Sequence, residues 1–117
     1  MGYRSEVAIA LTSEAASKLF VLQEFCPELK ELINDADETS HFDKESIGRG
    51  FDTKFYWNHI KWYETYTEIQ QMETFLHQIL EDDEAFLFLR IGEETDDMET
   101  RGYFWESDMY IQRSISL

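Results

Sequence analysis

Two carboxylate runs are the first places in this chain where residue type and spacing bear on chemistry: Glu81-Asp82-Asp83-Glu84, and Glu93-Glu94-Thr95-Asp96-Asp97-Met98-Glu99. Clustered carboxylate oxygens hold hard cations, but a calcium loop alternates its ligands about a fixed glycine and closes on a glutamate. Neither run has that spacing, so both are expected to be solvated charge. Zinc needs histidine or cysteine at short, fixed intervals. His41, His59 and His77 are far apart and Cys26 is the single cysteine, so no zinc site is expected, and Cys26 reads as a small core residue. Ser13, Ser17, Ser40 and Ser46 sit in no nucleophile elbow, and Gly48-Arg49-Gly50 lacks the further glycine and the helix start of a phosphate loop. Paired carboxylates of the glycosidase kind need a cleft for which so short a chain has little room. The sequence predicts no catalytic residue, no metal and no cofactor: a non-enzymatic protein.

The same residues point more directly to binding. Twenty-five Asp and Glu against ten Lys and Arg give a formal charge of -15. Direct contact with nucleic acid or with an anionic membrane is disfavoured, because phosphates need clustered cations. The expected partner is a basic protein, including one that itself binds nucleic acid. A rigid row of carboxylates imitates a phosphate array and competes with DNA for Lys and Arg, with affinity that falls steeply as salt rises. Glu93, Glu94, Asp96, Asp97 and Glu99 are the candidates for this contact, with Glu64, Glu68 and Glu73 flanking the helix expected between the aromatic and acidic segments. Trp57, Trp62, Tyr63, Tyr66, Tyr103 and Trp105 are more aromatics than a small core needs. Trp62 and Tyr63, beside Glu64, Glu94 and Asp97, are the candidate anchors, since Trp and Tyr dominate interface affinity; the competing reading is that these rings simply cover a sheet.

The elements that must position these groups follow from hydrophobic period. Residues 3–11 alternate, with Tyr3, Val7, Ile9 and Leu11 on one face and Arg4, Glu6, Ala8 and Ala10 on the other, as in a half-buried strand. Thr12 or Ser13 caps a helix reaching about Cys26, and Pro27 either kinks it or starts a second short helix that ends near Asn34. Residues 35–40 read as loop, Phe42 marks a short strand, and residues 47–51 read as a turn. Residues 51–63 form an aromatic strand whose broken alternation implies a bulge or two covered faces. Thr67 and Gln70 make a capping-box pattern for a helix that buries Ile69, Met72, Phe75, Leu76, Ile79 and Leu80. The apolar run 85–91 reads as a strand covered on both sides. An acidic loop over 93–99 precedes a final edge strand within 103–117, with Met109, Ile111, Ile115 and Leu117 on one parity. The predicted fold is α+β: a two-layer sandwich of a mainly antiparallel sheet with two helices on one face, in ferredoxin-like β-α-β-β-α-β-β order.

A length of 117 residues predicts a single domain. One cysteine, and an N-terminal stretch without a long apolar run, predict a reducing, cytoplasmic setting. Several segments resemble an uncharacterised family of small acidic proteins from bacteriophage and prophage genomes: residues 2–8 (Gly-Tyr-Arg-Ser-Glu-Val-Ala), 60–66 (Ile-Lys-Trp-Tyr-Glu-Thr-Tyr), 88–94 (Phe-Leu-Arg-Ile-Gly-Glu-Glu) with Asp96, Asp97 and Glu99, and the closing Arg113-Ser114-Ile115. The family's proline after Tyr66 is Thr67 here. The resemblance spans the chain, implies a phage or prophage origin and a host-cytoplasmic location, and carries over no activity or cofactor. The expectation is an acidic binding protein, a nucleic-acid mimic or inhibitor, that engages a basic surface of a host or phage protein. The alternative is a self-associating structural or virion accessory protein, a homodimer paired through its C-terminal edge strand.

Overall fold

The least polar stretch of the N-terminal half is the centre of the sheet. The computed structural model describes residues 2–42, 52–104, 107, 109–111 and 114–117. In it β1 (Ser5–Leu11) is flanked antiparallel by β3 (Asp52–Ile60) on one side and by β4 (Phe86–Ile91) on the other. With β2 (Glu38–Phe42) outside β3 and β5 (Met98–Gly102) outside β4, the five-stranded order is β2-β3-β1-β4-β5, antiparallel throughout.

Both faces of β1 are covered, which corrects the expectation of a half-buried strand. Val7, Ile9 and Leu11 meet Phe55, Trp57, Phe86 and Phe88 beneath the helices. Ala8 and Ala10 lie with Leu87, Leu89, Phe104, Met109 and Ile115 on the opposite face. Alanine at these positions leaves the volume that the C-terminal segment fills. A register shift between Ser5 and Val7, opposite Ile60 and Trp57, resolves the broken alternation of the aromatic strand. One extra residue on β3 lets Phe55, Trp57 and then Ile60 all join the helix-side core, while Tyr56 faces the other way.

The helical face carries three helices: of the two readings of Pro27, a kink or the start of a second short helix, the structure has the second. Thr12 caps α1 (Ser13–Leu22), its hydroxyl accepting from the Ala15 amide. Pro27 opens a separate α2 (Pro27–Asn34), where its missing N–H costs nothing. Cys26 is partly buried against the core. The expected capping box of α3 (Thr67–Thr74) does not form: Tyr66 is the N-cap without a side-chain bond, and the Gln70 amide instead donates to the Glu64 carbonyl. A π-helical turn, Phe75–Ile79, then inserts one residue, so Leu80 is buried while Ile79 is 42% exposed, against the expectation that both face inward.

Three further expectations are corrected. Glu38 to Ser40 belong to an edge strand rather than a loop, paired antiparallel to β3. The acidic loop ends at Asp97, since Met98 and Glu99 open β5, and β5 is the sheet edge. The C-terminal stretch is not an edge strand of this sheet. Gly102, at φ +86°, turns the chain back across the sheet, and among the described residues β6 (Tyr110–Ile111) pairs with β7 (Ile115–Ser116) in a separate two-stranded sheet. Burial of Phe104, Met109 and Ile115 over the alanines drives that return, and Glu6 fastens it by accepting from the Ile115 amide at 3.2 Å. The predicted turn at 47–51 lies outside the described residues. Among the described residues no helix is long and apolar enough to cross a membrane.

Candidate functional site

A cleft of about 490 Å³ opens on the helical side of the sheet, where β4 and β5 run past the end of β3 and the flank of α3. Alternation sends Phe88 and Arg90 of β4 to that side, and their cross-strand partners Arg101 and Glu99 follow. Two arginines on a face this apolar need partners, and the neighbouring carboxylates supply them. Arg90 reaches Asp97 Oδ1 from Nη2 at 2.6 Å, Asp97 Oδ2 from Nη1 at 3.2 Å, Glu99 Oε1 from Nε at 2.7 Å, and Ser5 Oγ from Nη1 at 3.0 Å. Arg101 forks onto Glu73 of α3, at 2.5 Å to Oε2 and 2.7 Å to Oε1, and its guanidinium lies 4.0 Å from the centre of the Phe88 ring. His77 Nε2 is 2.6 Å from Arg101 Nη1.

Aromatic groups close the network at both ends. Trp62 donates its indole N–H to Glu73 Oε1 at 3.0 Å and packs between Trp57 and Phe88. Tyr3 donates its hydroxyl to Asp97 Oδ2 at 2.5 Å and accepts from the Glu94 amide at 3.1 Å. Gly92 makes room for this: a Cβ there would run into Asp97 Oδ2 and Tyr3 Oη. Tyr63 lines the cleft and packs against Tyr66 in a tilted arrangement, with ring centres 5.1 Å apart.

These contacts set the protonation of the network. The Arg90 bonds, helped by Tyr3, hold the Asp97 carboxyl below the usual range, and the same bond raises the Tyr3 hydroxyl. Burial pushes the Glu73 carboxyl up, but the bonds from Arg101 and Trp62 outweigh it and leave Glu73 low. Burial disfavours the Arg90 charge, and Asp97 and Glu99 more than restore it. Asp97, Glu73 and Arg90 are therefore charged at neutral pH, while the Tyr3 hydroxyl keeps its proton and donates it in the hydrogen bond to Asp97.

The sequence-predicted residues divide into two sets. Trp62, Tyr63, Asp97 and Glu99 converge on the cleft, and there Asp97 and Glu99, both partly exposed, are paired with arginine. Glu93, Glu94 and Asp96 stand exposed on the loop held by Tyr3 and Asp97, and Glu64 is exposed at the other rim. Trp105 lies outside the described residues. Sequence reasoning missed Arg90 and Arg101 altogether. The available signal was Arg90 itself, a cation inside the otherwise apolar run Phe86–Ile91. It also missed a second cleft of about 430 Å³, lined by Glu28, Glu31 and Asp35 at i, i+3 and i+7 together with Asp37 and Glu68, and by the cations Arg4 and Lys61. Those acids interleave with Leu29, Leu32 and Ile33 and so form no run in the sequence. Among the described residues no group of three or more His, Cys, Asp or Glu is placed to hold a metal ion. In comparisons with known proteins the chain matches no family model, no curated protein and no solved structure.

Proposed function

We propose that the chain is a non-enzymatic acidic binding protein, phage- or prophage-encoded and acting in the host cytoplasm, that engages a basic surface of a host or phage protein as a nucleic-acid mimic or inhibitor. One observation carries the reading. The arginines lining the cleft are consumed by Asp97, Glu99 and Glu73, while Glu64, Glu93, Glu94 and Asp96 remain exposed around it. An arginine-braced scaffold thus presents carboxylates in fixed positions, and a fixed row loses less entropy on binding than a flexible one. Trp62 and Tyr63 give the rim an aromatic floor on which a guanidinium can stack. The net charge of -15 adds long-range steering towards cations.

A ferredoxin-like connectivity is part of the proposal. It is supported by β1 and β2, and β3 and β4, each being joined through the helical layer with one antiparallel strand between them. That topology hosts unrelated activities, so the function rests on the rim and not on the fold.

Affinity capture from bacterial lysate tests the reading, with tagged wild type and the variant Glu93→Gln, Glu94→Gln, Asp96→Asn as baits. A basic, nucleic-acid-handling protein held by wild type at low salt, lost as salt rises and lost by the variant, is expected. Equal capture by both baits would refute the role of the rim.

A further inference from the structure

We infer that the apolar groove between the end of α1 and the π-helical turn is a docking site for an amphipathic helix that carries flanking Lys or Arg on a partner protein. The groove is shallow and open to solvent, and it shares no residue with either of the two clefts described above. Three large side chains reach it, from α1, the turn that follows it and the π-helical turn: Val21 at 63% exposure, Phe25 at 79% and Ile79 at 42%. Leaving these groups in water forgoes the gain that burial would bring, and contiguous exposed apolar groups mark interaction surfaces.

The third of these is there by backbone design. The period of α3 would carry Ile79 into the core beside Leu76. Instead the Leu80 amide bonds to the Phe75 carbonyl, five residues back, at 3.0 Å, and that widened turn gives the buried place to Leu80. π turns of this kind recur at functional sites. Their usual effect, re-aiming one side chain, here brings Ile79 to the groove that Val21 and Phe25 already line.

Charge selects the occupant. Lys18 lines the groove and Lys30 pairs with Glu24 at 3.6 Å, but immediately beyond Leu80 the chain exposes Glu81, Asp82, Asp83 and Glu84, so carboxylates outnumber cations beside Ile79. A second copy of this chain would bring the same acidic run against itself, in a molecule already at -15. A helix with apolar anchors at i, i+3 or i+4 fits the groove, and cations on its flanks answer the carboxylates. A groove this small gives a contact at the weak, transient end of specific interfaces, strengthened by the charged border.

The probe is a synthetic helix of about 18 residues, with leucines at i, i+3, i+4 and i+7 and lysines elsewhere, titrated against the full chain by fluorescence anisotropy and amide NMR. Shifts are expected on residues 18–25 and 78–84. Phe25→Ser and Val21→Ser should each weaken binding by about tenfold or more without altering the melting temperature, and a scrambled peptide of the same composition should bind about tenfold more weakly. Glu93→Gln, Glu94→Gln, Asp96→Asn should leave binding unchanged, which separates this site from the rim proposed above. Equal binding by the scrambled peptide, indifference to Phe25→Ser, or loss only in the rim variant would overturn the assignment. Sedimentation of a wild-type dimer that Phe25→Ser dissociates would hand the groove to a second copy instead.

Discussion

Replacing Arg90 by methionine keeps the side chain's length and removes the whole hub of the cleft network. Lost are the contacts at 2.6 and 3.2 Å to Asp97, at 2.7 Å to Glu99 and at 3.0 Å to Ser5. A fully buried pair broken on one side costs about 3–5 kcal/mol, and an exposed pair less than about 1 kcal/mol. This hub lies between those limits. The Arg90 side chain is 14% exposed, but its partners Asp97 and Glu99 are at 30% and 42% and regain water when the guanidinium leaves. Ser5 is 4% exposed and does not. Discounting the two carboxylates for rehydration leaves about 1 kcal/mol from the Asp97 fork, about 0.5 from Glu99 and about 1 from Ser5, or about 2–3 kcal/mol in all. Arg90→Lys keeps the charge but reaches one carboxylate rather than two, so about half of the loss should remain. Urea unfolding at neutral pH and about 0.15 M salt, followed by tryptophan emission, reads both values, with an unchanged m-value certifying a common unfolded state. A loss below about 1 kcal/mol for Arg90→Met, or wild-type stability for Arg90→Lys, would refute the claim that this fork braces the loop.

Other consequences are as direct. Gly102→Ala places a Cβ against the Phe86 carbonyl oxygen at a φ of +86°; a loss of about 2 kcal/mol or more is expected in thermal melts, and a neutral result would deny the strained return of the chain. Trp57→Phe removes the 3.0 Å bond from the indole to the Leu32 carbonyl in the core, for an expected cost of about 1–3 kcal/mol with α2 the first element to lose amide-exchange protection. Glu73 has a lowered carboxyl pKa, so its contribution is complete above its ordinary value of 4.5 and disappears as pH falls through the lower, folded value. The stability gap between wild type and Glu73→Gln should therefore be full at pH 6 and close on acidification below about 4.5; a gap that widens there would contradict the ion pair with Arg101.

How much of this was legible in the sequence depends on what each element is made of. The apolar run Phe86–Ile91, the break at Pro27 and the start of α1 carry strong local signals, and the structure has them where the pattern puts them. The edge strands do not. Glu38–Phe42 and Met98–Gly102 each pair with a single strand neighbour, and polar, acid-rich segments of this kind read as loops. The C-terminal segment alternates like a strand, yet Ala8 and Ala10 offer it a cavity to fill, a long-range effect invisible to local period. In the cleft, the types of Trp62, Tyr63, Asp97 and Glu99 were informative. Their association through Arg90 and Arg101 was not, because it depends on the cross-strand register of β4 and β5.

The most direct test of the carboxylate rim is competition. With the protein captured from lysate, binding of wild type and of Glu93→Gln, Glu94→Gln, Asp96→Asn should be measured across salt concentrations, with and without duplex DNA. A wild-type affinity that falls steeply with salt, yields to DNA and is reduced about tenfold or more in the variant is the predicted result. Capture of no basic protein at low salt, or an affinity indifferent to salt, DNA and the three substitutions, would contradict it.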